Sequence, residues 1–128
     1  MAIIAEIAKI FRFEAAHFLP NVAPTHQCHK MHGHSYIVTL RARGPIDRER
    51  GWVMDLSDLT QAFAPLLKTL DHALLNEIDG LENPTSENLA VFIMSRMARI
   101  MPLLSSVSIE ATDRIAITVT RDDVALGS

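Results

Sequence analysis

The chain has 128 residues, 48% hydrophobic and 21% charged, which predicts one soluble globular domain spanning residues 1–128 and excludes extensive disorder. The net charge of −3 argues against a nucleic-acid partner, and no apolar run approaches the roughly 18 residues that a membrane helix needs. One cysteine cannot form an internal disulfide and the first residues lack a basic leader, so a cytoplasmic location is expected.

The first part of the chain predicts two strands joined by a loop. Residues 3–18 alternate apolar and polar side chains loosely, a β pattern that ends at His17. Residues 19–31 show no periodicity and form the predicted loop. The following stretch is rich in β-branched and aromatic residues, which predicts a second strand from His32 to about Arg43.

Helical spacing of apolar residues follows an exposed charged connection. Leucines and a phenylalanine predict a first helix from about Ser57 to Leu70, in which Pro65 would cause a kink or a late start. Thr85 or Ser86 can cap a second helix, which Pro102 ends.

Two further strands complete the predicted fold. Val107 to Glu110 forms one, and Ile115 to Thr120 the other. The order ββααββ indicates an α+β fold with an antiparallel four-stranded sheet and two helices on one face. Such a sheet has two exposed edges, so we expect a homo-oligomer in which sheets join edge to edge.

Three histidines are candidate metal ligands. His32 and His34 stand two apart at the start of a strand, so both imidazoles point to one face, and His17 ends the neighbouring strand. Three neutral imidazoles suit zinc and leave an open position, which is typical of a catalytic site. Two alternatives stay open: the pair is merely a polar strand end, or Cys28 closes the coordination shell as a fourth ligand.

Cys28 is the candidate reactive thiol. It lies in a polar loop beside Lys30 and imidazoles, where a thiolate is stabilised, although a lone cysteine can also be a small buried hydrophobe. His26 and His29, in the same loop, have no role that the sequence supports.

Two acidic positions are further candidates. Asp71 and His72 follow the first helix and suit an acid that orients an imidazole for proton transfer, although a histidine is also favoured at a helix terminus. Glu110 could hold a guanidine-like N–H edge through two parallel hydrogen bonds, or it could simply face solvent from its strand.

Several segments occur in a fixed order and together form a specific signature: Phe13-Glu14-Ala15-Ala16-His17, Cys28 followed after three residues by His32-Gly33-His34, Gly51-Trp52-Val53-Met54-Asp55, Leu70-Asp71-His72, Leu81-Glu82-Asn83-Pro84-Thr85-Ser86-Glu87-Asn88, and Glu110. Over nearly the whole chain this signature resembles the 6-pyruvoyltetrahydropterin synthase superfamily. The short gap after Cys28 resembles the branch of that family that forms a carboxy-pterin in queuosine biosynthesis.

The resemblance implies the tunnelling fold, in which subunits join their sheets into a barrel, commonly as hexamers or tetramers with active sites between subunits. His17, His32 and His34 match the zinc ligands, so Zn²⁺ is the expected cofactor, and Cys28 matches the thiol that abstracts a proton. Asp71 and His72, a pair that could serve a neighbouring subunit's thiol, match the proton relay. Glu110 matches a glutamate described both as a relay member and as the anchor of the pterin ring.

The implied reaction converts 7,8-dihydroneopterin triphosphate and water to 6-carboxytetrahydropterin, triphosphate and acetaldehyde. It needs no nicotinamide or flavin, whose glycine-rich fingerprints do not occur in the chain. His29 and Ala111 depart from the family pattern, which has a small residue and often a threonine there. The rival hypotheses are a pyruvoyl-type synthase and a zinc- and pterin-binding module without turnover.

Overall fold

Two long strands form the centre of the computed structural model, which describes residues 2–112 and 115–124. Strand β1 (Ile4–His17) pairs antiparallel with β2 (His32–Pro45) along its whole length, so that His17 stands opposite His32. The loop between them contains a 3-10 turn at Gln27–His29. Both predicted strands are therefore confirmed.

Two helices cover one face of this sheet. Helix α1 (Leu56–Leu70) is capped by Asp55, for which no cap was predicted. Helix α2 (Ser86–Met97) is capped by the Thr85 hydroxyl, one of the two caps that the sequence allowed. Helix α1 begins before Pro65, so the proline does not delay its start. Within the described residues, no helix has both the length and the hydropathy that crossing a bilayer requires.

The predicted four-stranded antiparallel sheet is wrong, because a short strand was missed. After α1 the chain forms β3 (Ala73–Leu74), which pairs parallel with Ala15 and Ala16 at the end of β1. A pair of residues is too short to show a period of two, so the sequence pattern gave no sign of it.

The remaining strands are β4 (Leu104–Glu110) and β5 (Ala116–Thr120), both antiparallel to their neighbours. Among the described residues the sheet is therefore mixed and five-stranded, in the order β3-β1-β2-β4-β5. Strand β4 begins at Leu104, earlier than predicted. Its register shifts opposite Arg41 and Ala42, and the consecutive residues Ser106 and Val107 are both buried. This irregularity disrupts the alternation from which strands are recognised.

The two faces of the sheet have different roles. Alternate residues of β1 and β2 pack under the helices and form the core; they include Phe11, Phe13, Tyr36, Val38 and Leu40. The same alternation places His17, His32 and His34 on the helix-covered face at one end of the sheet. Glu14, Ser35 and Glu110 are exposed on the opposite face.

Candidate metal centre and catalytic residues

The three predicted ligands, His17, His32 and His34, converge at one end of the sheet, and we call them the histidine cluster. One potential ligand atom from each lies within 4.8 Å of the others. The Nε2 atoms of His17 and His32 are 3.1 Å apart. Nitrogens bound tetrahedrally to one zinc ion lie about 3.3 Å apart, since each Zn–N bond is about 2.0–2.1 Å. The geometry of the cluster therefore fits a divalent metal ion.

Main-chain carbonyls orient two of the imidazoles. His17 Nδ1 lies 2.7 Å from the Pro84 oxygen, and His32 Nδ1 lies 2.7 Å from the Lys30 oxygen. Because a carbonyl can only accept, both Nδ1 atoms carry the proton, and each Nε2 keeps a lone pair for a metal. His17 is only 5% exposed, and the Tyr36 hydroxyl lies 3.3 Å from its Nδ1. This arrangement favours ligands over the alternative of a polar strand end.

The histidine cluster opens into a cavity of about 600 Å³. The cavity lies between the end of the sheet, the 3-10 turn and the start of α2, and it is lined by His17, Leu19, Gln27, Cys28, His32, His34, Thr85, Ser86, Glu87, Ala111, Ile115 and Ile117. The structure thus brings Cys28 and the candidate metal ligands to one space large enough for a small molecule.

Cys28 is half-buried and held by its main chain. Its N–H donates to His26 Nδ1 at 3.0 Å, and its carbonyl accepts from the Leu19 N–H at 2.8 Å. Among the described residues, the group of atoms close enough to share an ion contains the histidine cluster and not Cys28. The geometry therefore favours a thiol beside the metal over a fourth ligand. His26 serves as the cap of the turn, a role the sequence did not indicate.

Asp71 and His72, the relay turn, pair as predicted but lie elsewhere. Asp71 Oδ1 is 3.0 Å from His72 Nδ1. The Glu14 N–H donates to Asp71 Oδ1 at 2.9 Å, and the Glu14 carbonyl accepts from the His72 N–H. The hydrogen bond from the Glu14 N–H lowers the pKa of the Asp71 carboxyl, and the His72 ring lowers it further. His72 has a φ of 60°, which is unusual for a residue other than glycine.

Within one chain the relay turn and Cys28 border different cavities. The His72 side chain is 79% exposed. It borders a second cavity of about 570 Å³, which is lined by Glu14, Ala15, Ala16, Gly33, His34, Ser35, His72, Ala73, Leu74 and Thr112. Most of this lining faces away from the helices, although His34 borders both cavities. The structure thus separates the predicted thiol from the predicted relay.

Glu110 also lies apart from the histidine cluster. It is exposed at the end of β4, opposite Ile37, whereas its neighbour Ile109 is fully buried under the helices. Strand alternation therefore points Glu110 to the outer face, away from the Cys28 cavity.

Sequence reasoning missed the main-chain partners of these residues. The Pro84 carbonyl has no side-chain signal, and the segment around it predicted only a helix start. Glu14, whose carboxylate accepts from the Ser35 hydroxyl at 2.7 and 2.9 Å, occurred in the family signature but had no assigned role.

The chain is similar to known proteins of one family. A family described as 6-pyruvoyl tetrahydropterin synthase matches residues 6–122. A 6-carboxy-5,6,7,8-tetrahydropterin synthase from Synechocystis is 41% identical over 113 residues, which cover 83% of this chain and 85% of that protein. A dihydroneopterin monophosphate aldolase from Pyrococcus furiosus is 33% identical over 70% of this chain and 72% of that protein. The structure of Caenorhabditis elegans 6-pyruvoyl tetrahydropterin synthase gives a TM-score of 0.86 at 27% identity, covering 93% of this chain and 96% of that one.

Proposed function

The chain belongs to the 6-pyruvoyl tetrahydropterin synthase family of enzymes, and from this premise we propose that it is a zinc-dependent lyase of queuosine biosynthesis. It converts 7,8-dihydroneopterin triphosphate and water to 6-carboxy-5,6,7,8-tetrahydropterin, triphosphate and acetaldehyde in the cytoplasm. The observation that carries this proposal is the 41% identity to a 6-carboxy-5,6,7,8-tetrahydropterin synthase along most of both chains. The Cys28–His32 spacing supports the same branch of the family.

The histidine cluster is the proposed metal site. Its support is the convergence of three ring nitrogens and the carbonyl partners that fix the protons of His17 and His32 on Nδ1. A bound Zn²⁺ would polarise the side-chain oxygens of the substrate and acidify the neighbouring C–H bonds. Imidazoles accept other divalent ions as well, so the choice of zinc rests on the family.

Cys28 is the proposed base. It borders the same cavity as the histidine cluster, so a substrate side chain held there would lie within reach of its thiolate. The thiolate takes a proton from a substrate carbon. Asp71 stays ionised at neutral pH and orients the His72 ring, which is suited to move protons to and from such a thiol.

We place each active site between subunits of a homo-oligomer, a hexamer or tetramer. The relay turn and Cys28 border different cavities of one chain, and a second copy would bring the two together. Among the described residues, β3 covers β1 only at Ala15 and Ala16, which leaves most of that edge available for pairing. Glu110 then meets the pterin ring from the outer face of a subunit, through two parallel hydrogen bonds.

The experiment that tests this function is mass spectrometry of the products formed by zinc-loaded protein from dihydroneopterin triphosphate. Carboxy-pterin and acetaldehyde together are the expected result. A pyruvoyl-pterin would assign the sister activity instead. Unchanged substrate with a folded, metal-loaded protein would refute the enzymatic proposal and support a binding module. Zinc-loaded Cys28→Ala is the control for products formed by the metal alone.

A further inference from the structure

Asn76 makes an unusual set of contacts just behind the histidine cluster. The Phe18 N–H donates to Asn76 Oδ1 at 3.0 Å, and Asn76 Nδ2 donates back to the Phe18 carbonyl at 2.8 Å. One amide side chain therefore holds both main-chain polar groups of the residue that follows His17. Asn76 itself is anchored, because the adjacent Leu75 is fully buried in the core.

The same amide also reaches the segment that orients His17. Asn76 Nδ2 lies 3.4 Å from the Glu82 carbonyl, two residues before Pro84. The next carbonyl along the chain, that of Asn83, accepts from Asn88 Nδ2 at 2.8 Å. The segment is thus held at the two residues just before Pro84, which is itself buried and whose carbonyl accepts from His17 Nδ1.

We propose that Asn76 is a positioning residue for the metal ligand His17. By binding Phe18 and Glu82 with one rigid amide, it fixes the end of β1 against the Pro84 segment, and so sets the distance and angle between the His17 ring and its carbonyl partner. Groups that orient a metal-bound imidazole commonly contribute 10- to 100-fold to metal affinity, by rough estimate. This inference rests on the proposed metal site, and it adds a determinant of its affinity.

The test compares Asn76→Ala with a matched loop variant, Asp47→Ala. The Asp47 carboxylate also holds main-chain groups, accepting from the Glu49 and Arg50 N–H groups at 2.9 Å each, but its loop lies between β2 and α1. The Zn²⁺ dissociation constant is measured by competition with a chromophoric chelator, at a temperature where each variant is folded. Because Asn76 acts through Phe18 and Glu82 and the Pro84 carbonyl remains, we expect Asn76→Ala to weaken binding by roughly 10-fold, the low end of that range. Asp47→Ala should leave it unchanged.

The visible absorption spectrum of the Co²⁺-loaded protein gives the second readout. Its bands depend on ligand geometry, so they should shift in Asn76→Ala and stay unchanged in Asp47→Ala. A variant that is less stable but still folded, with its ligands in place, would keep the wild-type bands. Asn76→Ser replaces the amide with a hydroxyl, which can still form a hydrogen bond, and should give an intermediate loss of affinity. It takes over the test if the alanine variant does not fold.

The outcomes distinguish the positioning role of Asn76 from the proposed metal site on which it rests. Wild-type protein that binds neither Zn²⁺ nor Co²⁺ would refute the metal site, and the role of Asn76 with it. Wild-type protein that binds tightly, with equal affinity and an equal spectrum in a folded Asn76 variant, would refute the positioning role alone.

Discussion

The histidine cluster and the relay turn both present imidazoles, but they are built in opposite ways. In the cluster the side chains are constrained: His17 is 5% exposed, and carbonyls hold its ring and that of His32. In the relay turn the Glu14 main chain holds the His72 N–H and the Asp71 carboxylate, while the His72 side chain is 79% exposed. The comparison indicates that one chain by itself assembles the candidate metal site, whereas the proposed catalytic groups stay separated within it.

Removing one imidazole of the histidine cluster should have the largest effect on activity, because it destroys the candidate metal site. His32→Ala leaves too few nitrogens to hold the ion, so metal and activity should be lost together. Metal analysis after dialysis, combined with the product assay, measures both. A His32→Ala protein that keeps a full metal complement would show that the cluster is not the site.

Cys28→Ala should separate the two properties. The thiol lies in the cavity but outside the group of candidate ligand atoms, so metal content should stay unchanged. Activity should fall by roughly 10²- to 10⁴-fold, the usual contribution of a positioned proton-transfer group. Metal loss equal to that of His32→Ala would instead make Cys28 a ligand.

Mixed oligomers should decide whether Cys28 of one subunit works with His72 of another. If Cys28 and His72 act from different subunits, random reassembly of Cys28→Ala with His72→Ala restores about one quarter of the sites. Activity should then rise from background toward that fraction of the wild-type value.

The control for this mixture is Cys28→Ala reassembled with His32→Ala. Both of these residues border the same cavity of one chain, so no mixed site is intact and activity should stay at background. Equal recovery in both mixtures, or recovery in neither, would contradict a site shared between subunits.

Substitution of His72 should reveal the conformational cost of the relay turn. At a φ of 60°, His72→Gly should be more stable to urea than His72→Ala by about 1 kcal/mol, because only the alanine has a Cβ that crowds the next carbonyl. The same pair at Lys68, inside α1, should give the reverse order. An unchanged order at the two positions would argue against the left-handed turn.

The smallest effect is expected from pH. The Glu14 N–H lowers the pKa of the Asp71 carboxyl below its ordinary value, so the carboxylate stabilises the fold above that ordinary value, and its contribution is lost as pH falls through the lowered one. Urea unfolding of wild type and Asp71→Asn should therefore differ at neutral pH and converge in acid. A difference independent of pH would mean that the ionised form has no special role.

Patterns of period two and 3.6 were enough to predict β1, β2, α1 and α2, because each is long and has one buried face. They failed at β3, which has two residues, and at the start of β4, where the register shift disrupts alternation. Motif reasoning predicted the histidine cluster, which the structure brings together. Strand parity could not place Glu110 and His72 relative to Cys28, since it names a face only once the fold is known. Only the family resemblance indicated that the relay pair could serve a neighbouring subunit's thiol.

The amino-acid sequence by itself determined which side chains can do chemistry and which of them share a strand face, because side-chain type and strand period are local properties. The tertiary structure decided what depends on contacts between distant segments. Only folding brings the Pro84 carbonyl to His17 and the amide of Asn76 to Phe18, across 67 and 58 positions of the chain. It also decided that the thiol and the relay turn border different cavities, because the end of β1 presents His17 and Glu14 to opposite faces of the sheet.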